Sequence, residues 1–362
     1  MPSKSNAYKY QVVSNWIQEK IEDGTFKEGK KLTSEIALAE QFGISRLTVR
    51  KAIEHLCSEY ILYKESGKGT FISPRKRRSI HTNNIAVITT YIDNYVFTSI
   101  MRGIESVVTK EGFNLSFGIT KYKFSNEARI IKSYIENGID GFIIESTRSV
   151  LPNPNLNLFR LLDDYGIPYV FINGYYKELH EPVYVVTDDR SVGMKAVDHF
   201  YSLGHRNIAG IFKMDEIQGL ERFAGYSQGL MNHGIEADEN HVFWYFTGDE
   251  SSIFDEPGGT VLLKKLEGCT AVLCFNDSIA YDLIKFLEHR NIRVPDDISI
   301  VGVDNSTVSE LLQDQITTFE HPTEKLGEEA ARRLIYMIKT GKKADSLKMD
   351  MKIIVRKSVK EI

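Results

Sequence analysis

Residues 32–72 read LTSEIALAEQFGISRLTVRKAIEHLCSEYILYKESGKGTFI. An apolar helix comes first, with Ile36, Leu38, Ala39 and Phe42 as core contacts and Thr33 or Ser34 as its N-cap. Gly43 supplies a turn, and Ser45 caps a second helix whose Val49, Ile53 and Leu56 recur at helical spacing. Arg46, Thr48, Arg50 and Lys51 fall on its outer side. The strands Ile61-Leu62-Tyr63 and Thr70-Phe71-Ile72 then pair around Gly67-Lys68-Gly69. Two helices at a tight turn, the second basic outside, followed by a hairpin with a lysine at its tip, predict a winged helix-turn-helix for duplex DNA.

Working outward, residues 8–23 predict a preceding helix with Val12, Val13, Trp16, Ile17 and Ile21 on one face, ended by Gly24. The DNA-reading domain so bounded spans 6–73. Residues 73–84, SPRKRRSIHTNN, are polar and basic with a proline and no periodicity, which predicts a linker over 74–84; PRKRR reads as an auxiliary phosphate contact. Residues 1–80 hold 15 Lys+Arg against 9 Asp+Glu, while the remainder holds 30 against 40. A basic head on an acidic body fits one part that meets phosphate and one that does not.

Beyond residue 84 short apolar runs alternate with helical segments. The runs are 85–92, 115–120, 141–146, 169–173, 183–189, 208–213, 271–277 and 298–305; helices fall at 99–112, 127–138, 190–204 and 277–290. Such alternation predicts a parallel sheet wrapped by helices. Many runs end in a polar residue: Thr90, Glu145, Asn173, Asp188, Lys213, Asn276 and Asp304. Ligands of doubly wound sheets bind beyond the carboxyl ends of strands, so a site is expected there.

At 362 residues the chain suits two or three folding units. No apolar run is long enough to span a bilayer, and the N-terminus lacks an apolar signal core, so a cytoplasmic protein with no membrane partner is expected. Cys57, Cys269 and Cys274 have neither disulfide-framework nor metal-ligand spacing; they read as core thiols, and no metal or cofactor is expected. Asp188-Asp189 could suggest acid–base chemistry, but neighbours on one strand end point to opposite sides. No phosphate-cradling GxxxxGK[ST], nucleophile elbow or HExxH occurs, so no catalytic residues are assigned.

Residues 8–73 resemble the GntR-type winged helix through Leu32-Thr33-Ser34-Glu35, Phe42-Gly43-Ile44-Ser45, Thr48-Val49-Arg50-Lys51-Ala52 and Gly67-Lys68-Gly69-Thr70-Phe71. Thr33 stands where that family usually has proline. Residues 85–355 resemble the LacI/GalR-type effector domain, itself similar to periplasmic sugar-binding proteins. The motifs that carry this are Asp188-Asp189 before Gly193, Gly204-His205, Arg222-Phe223-Ala224-Gly225-Tyr226, Phe275-Asn276-Asp277-Ser278-Ile279-Ala280, Val294-Pro295-Asp296-Asp297, Val301-Gly302-Val303-Asp304 and Glu320-His321-Pro322. A GntR head on a LacI-type body is similar to the AraR group of L-arabinose-responsive repressors, as are residues 89–105. The resemblance implies a winged helix-turn-helix (α+β) joined to an α/β two-lobed, periplasmic-binding-protein-like effector domain over 85–358. It also implies a homodimer, double-stranded operator DNA as partner and a small sugar, L-arabinose, as effector.

On that pattern Arg46 and Glu35 are the base readers, since arginine forks onto guanine and a carboxylate accepts from cytosine. Ser45, the cap of the reading helix, is also an expected DNA contact, Arg50, Thr48, Lys51 and Lys9 contact phosphate, and Lys68 enters a groove or meets phosphate from the wing. A monosaccharide offers hydroxyls and an apolar ring face, so it needs carboxylates, amides, arginine and an aromatic platform. Arg222, Asn276 and Asp304 lead the implied effector contacts, with His321, Gln218, Tyr91, Phe97, Glu145 and Lys213 beside them. Asp188 and Asp189 are assigned to the hinge or a helix cap. A phosphosugar would need clustered Arg and Lys at strand ends, where only Arg222 and Lys213 qualify, so a neutral sugar is expected.

Overall fold

The computed structural model describes residues 4–58, 61–65, 67–73, 82–92, 95–306 and 316–362. The expected PRKRR phosphate contact, and most of the expected linker, lie outside these residues. The chain forms two compact units, residues 1–81 with 154–167 and residues 82–153 with 168–362.

In the first unit α1 (Lys4–Glu22), α2 (Glu35–Phe42) and α3 (Arg46–Ser58) precede an antiparallel pair, β1 (Leu62–Glu65) and β2 (Gly69–Ile72), registered Leu62 to Ile72 and Glu65 to Gly69. Of the two N-cap candidates for α2, Ser34 takes the position: its Oγ accepts the Ala37 N–H at 3.2 Å. Gly43 ends the helix at φ 59°, a left-handed conformation that costs glycine nothing. Val13, Ile17, Leu38, Val49, Ile53, Leu56, Leu62 and Ile72 make one core, and Trp16 meets Phe26 and Phe42 edge-on. Two expected core residues lie outside it. Ile36 is 50% exposed, about 200° around the helix from Leu38 at ~100° per residue. Val12, 44% exposed, sits at the rim of its stripe. The unit also includes α6 (Leu156–Asp164).

The second unit holds two sheets, hence two lobes. Lobe 1 contains β3 (Asn84–Thr89), α4 (Tyr95–Val108), β4 (Asn114–Ile119), α5 (Phe124–Asn137), β5 (Gly141–Glu145), β6 (Tyr169–Ile172) and β7 (Tyr184–Thr187). Lobe 2 contains α7 (Asp189–Ser202), β8 (Ile208–Lys213), α8 (Ile217–Asn232), β9 (Val242–Tyr245), α9 (Gly258–Leu266), β10 (Ala271–Cys274), α10 (Asp277–Glu288), β11 (Ser299–Asp304) and β12 (Thr317–Glu320). The chain then returns to lobe 1 for α11 (Thr323–Thr340) and β13 (Leu347–Met349), and crosses again for β14 (Lys352–Ile354).

Strand order is β13-β7-β6-β5-β3-β4 in lobe 1, all parallel, and β14-β12-β11-β10-β8-β9 in lobe 2, parallel except for β14. The chain thus passes between lobes three times, near Asp188, His321 and Asp350, and Met349 and Met351 on either side of the last enter different cores. The apolar runs predicted β3 to β8, β10 and β11 but not β9, β12, β13 or β14. α4 and α5 start several residues earlier than expected.

Glycine lets helices meet backbone to backbone: a Cβ on Gly193 of α7 would lie 2.1 Å from the Arg222 carbonyl oxygen, and one on Gly225 of α8 1.9 Å from that of Arg190. This close approach sets Arg222 beside the first crossing.

Candidate functional site

The expected DNA-reading residues gather on α3. Arg46, Lys51 and, on α1, Lys9 are exposed. Ser45 caps α3, its Oγ accepting the Thr48 N–H at 3.2 Å and lying 2.8 Å from the Thr48 hydroxyl. Thr48 is 5% exposed, which places it in the cap and core rather than among the outer cations. Glu35 and Arg50, expected to meet base and phosphate separately, meet each other: the Arg50 Nε and Nη2 donate to Glu35 Oε2 at 3.2 and 3.0 Å. Lys68 extends from the hairpin turn, 74% exposed and 2.9 Å from Glu65. Leu47, 64% exposed between Arg46 and Thr48, was not singled out; an apolar side chain on a reading helix can meet a thymine methyl.

In the second unit all nine expected effector residues line one cavity of about 300 Å³, together with Thr90, Tyr122, Asn173, Glu216, Thr247, Glu250 and Phe275. The cavity lies where both parallel sheets point their carboxyl ends, as the doubly wound rule requires. From lobe 1, Tyr91 and Tyr122 stack with ring centroids 5.7 Å apart. Glu145 Oε2 accepts from the Thr89 hydroxyl at 2.7 Å and from the Thr90 N–H and hydroxyl at 2.8 Å, and Oε1 accepts from Asn173 Nδ2 at 3.1 Å. Four donors thereby fix this carboxylate at the cavity wall.

From lobe 2, Arg222 is 2% exposed; its Nε donates to Asp189 Oδ1 at 2.8 Å, a second nitrogen donates to the Phe275 carbonyl, and the guanidinium lies 4.7 Å from the Phe275 ring centroid. Burial pushes the Asp189 carboxyl up from its ordinary range, and Arg222 pulls it back. Asp188 is the N-cap of α7, accepting the Ser191 N–H at 3.3 Å. Lys213 lies 2.9 Å from Glu250 and 3.5 Å from Glu216. Burial and the facing Glu250 carboxylate push Glu216 up to about 8. Asn276 Oδ1 caps α10 by accepting the Ile279 N–H at 3.0 Å, so its NH₂ is the group's remaining donor end.

His321, at the second crossing, is 7% exposed, and neither ring nitrogen has a hydrogen-bond partner among the described residues; Asp304 is 3.8 Å away. Burial lowers its pKa to about 4, so the ring is neutral and presents one donor and one acceptor. Asn173 Oδ1 is likewise buried without a partner. Unpaired buried polar atoms are costly, and two such residues lining one cavity mark it as a place for a hydrogen-bonding ligand. Thr90 and Asn173 are polar strand ends that the sequence pattern marks; Glu216 and Glu250 lie on segments that it does not mark.

Residues 9–72 match the family of bacterial regulatory proteins, gntR family, and residues 197–359 match the periplasmic binding protein-like domain. The chain is 35% identical to the arabinose metabolism transcriptional repressor of Halalkalibacterium halodurans, over 98% of this chain and 97% of that one. It is 36% identical to the protein of the same name from Geobacillus stearothermophilus, over 98% of each. The chain belongs to the family of arabinose metabolism transcriptional repressors. It is a DNA-binding transcription repressor with a GntR winged helix and a two-lobed body of the LacI/GalR kind. Among solved structures it is similar to a transcriptional regulator CelR–cellobiose complex, with a TM-score of 0.70 and 26% identity over 86% of this chain and 90% of that one. Membership in a repressor family points to a regulator. Among the described residues no helix is long and apolar enough to cross a membrane, and no His/Cys/Asp/Glu group could hold a metal.

Proposed function

We propose that this repressor is released from its operator by a small neutral sugar, L-arabinose, bound in the cavity between the lobes. The observation that carries the reading is His321: a neutral, buried imidazole whose two nitrogens have no hydrogen-bond partner among the described residues, in a cavity that also holds an aromatic pair and the NH₂ of Asn276. Hydroxyls donate and accept, so they can pair with both ring nitrogens. The charge pattern supports neutrality of the ligand. Lys213 is taken by Glu250, and Arg222 by Asp189, with Glu145 and Asp304 also on the wall. A phosphate would meet more carboxylates than uncommitted cations.

In this reading residues 6–73 read DNA, 74–84 link and 85–358 bind the effector and dimerise. Arg46 and Glu35, the latter held by Arg50, face the base edges; Arg50, Lys9, Lys51 and Lys68 position the domain on phosphates. Two copies set one winged helix on each half of a palindromic site. The sugar acts by binding one lobe arrangement better than the other, and a few kcal/mol of such coupling suffices to release DNA. A different pentose as effector is the second reading. A thermal-shift panel separates the two, because a ligand that binds only the folded state raises the melting temperature. L-arabinose is expected to give the largest shift and to abolish a gel-shifted operator band. A larger shift with another pentose, or with a phosphorylated one, would overturn the assignment.

A further inference from the structure

The N-terminus of α8 is capped from the opposite lobe. Its own N-cap residue, Glu216, makes no side-chain cap hydrogen bond. The first N–H of the helix, that of Ile217, donates instead to Ser149 Oγ of lobe 1 at 2.8 Å. Ser149 and Ile217 are 7% and 6% exposed, so the bond is shielded from water. Helix-start N–H groups have no partner within the helix, and one that is buried must find another.

The serine is held for this task. Its loop is braced by the Thr147 N–H, which donates to the Tyr176 hydroxyl at 2.8 Å, and by the Tyr176 hydroxyl, which donates to the fully buried Glu127. Room for the contact comes from Gly174 of lobe 1, where a Cβ would lie 2.7 Å from Ser146 Oγ and 3.1 Å from Ile217 Cγ2. Gln218, the next residue of α8, and Arg222, one turn further on, line the cavity. The bond therefore joins the lobes immediately beside the ligand-facing residues.

We propose that Ser149 is a positioning residue that latches lobe 1 onto the N-terminus of α8 and so couples occupancy of the cavity to the arrangement of the lobes. The bond costs nothing to the separate lobes and exists only when they are together. Its loss should thus spare DNA binding and folding while weakening the response to effector. That second consequence rests on the effector reading above; the latch itself does not.

The test is hydrogen–deuterium exchange on the full-length protein, wild type against Ser149→Ala and Gly174→Ala, first without ligand and then with L-arabinose. Without ligand the Ile217 amide is expected to exchange about tenfold faster in Ser149→Ala, with operator affinity unchanged and the melting temperature lowered by no more than a few degrees. The L-arabinose concentration that half-releases operator should rise about tenfold, as should that of Gly174→Ala, whose serine is intact but whose added methyl holds the lobes apart. Equal exchange at Ile217 in wild type and Ser149→Ala would overturn the latch, whichever sugar the protein binds. If that exchange difference is present but wild type ignores L-arabinose, the latch stands and the effector assignment fails.

Discussion

Replacing Arg222 with methionine tests how the cavity wall is held. The guanidinium is 2% exposed and pairs at 2.8 Å with Asp189, itself 5% exposed. Methionine fills most of the volume but leaves the Asp189 carboxylate, among the described residues, with the Thr187 hydroxyl at 3.0 Å as its one side-chain donor. Breaking a buried pair from one side costs about 3–5 kcal/mol, most of it for the stranded charge. Adding Asp189→Asn removes that charge, so the double variant should lose only about 1–2 kcal/mol for its hydrogen bonds. The single change is thus expected to be less stable than the double by roughly 2–3 kcal/mol, because the charge stranded by the first substitution is removed by the second. With a urea slope of about 2–3 kcal/mol/M, that separates the two midpoints by on the order of 1 M. Both variants should retain operator at low temperature and fail to release it with L-arabinose. Equal midpoints for single and double would mean that Asp189 does not depend on Arg222. Wild-type L-arabinose affinity in either variant would remove Arg222 from the ligand site.

Acidity gives a second test. Glu216 titrates at about 8 against an ordinary 4.5, so the folded chain keeps a proton that the unfolded chain releases. Its contribution to stability is complete below 4.5 and is lost as pH rises through 8. Between pH 6.5 and 8.5 wild type should lose up to about 2 kcal/mol at this group, and Glu216→Gln should flatten that fall in a thermal-melt series; parallel curves for the two would contradict the burial argument. Arg46→Ala should erase discrimination between operator and random DNA in a gel shift while calorimetry finds L-arabinose affinity unchanged. Lys68→Ala should weaken all DNA alike and shrink the slope of log K against log salt by about 0.9, whereas a change confined to one base position would make Lys68 a base reader. Gly225→Ala would set a methyl 1.9 Å from the Arg190 carbonyl oxygen, part α7 from α8 and lower the melting temperature of the unit that includes Arg222; an unshifted melt would show that the helices slide freely.

Much of this was legible because two simple periodicities govern it. The spacing of Val49, Ile53 and Leu56 fixed which side of α3 is buried, so the exposure of Arg46 and Lys51 followed. Polar residues at the ends of apolar strands pointed to the cavity because parallel strands all deliver their carboxyl ends to one edge, and Glu145, Asn173, Lys213, Asn276 and Asp304 meet there. What periodicity cannot encode is pairing across distance. Glu35 and Arg50 are fifteen residues apart and were assigned separate roles, yet they form one ion pair. Asp188 and Asp189 look interchangeable in the chain, but α7 begins between them, so one caps the helix and the other turns inward to Arg222. Glu216 and Glu250 gave no signal because their importance comes from Lys213, which each approaches from a different segment. The same reason hides Ser149: a serine in a loop has no pattern, and its partner is an amide that only the approach of the second lobe brings within 2.8 Å. Residues whose role is to hold other residues are therefore the ones a linear reading loses, and in this repressor they are concentrated where the lobes meet.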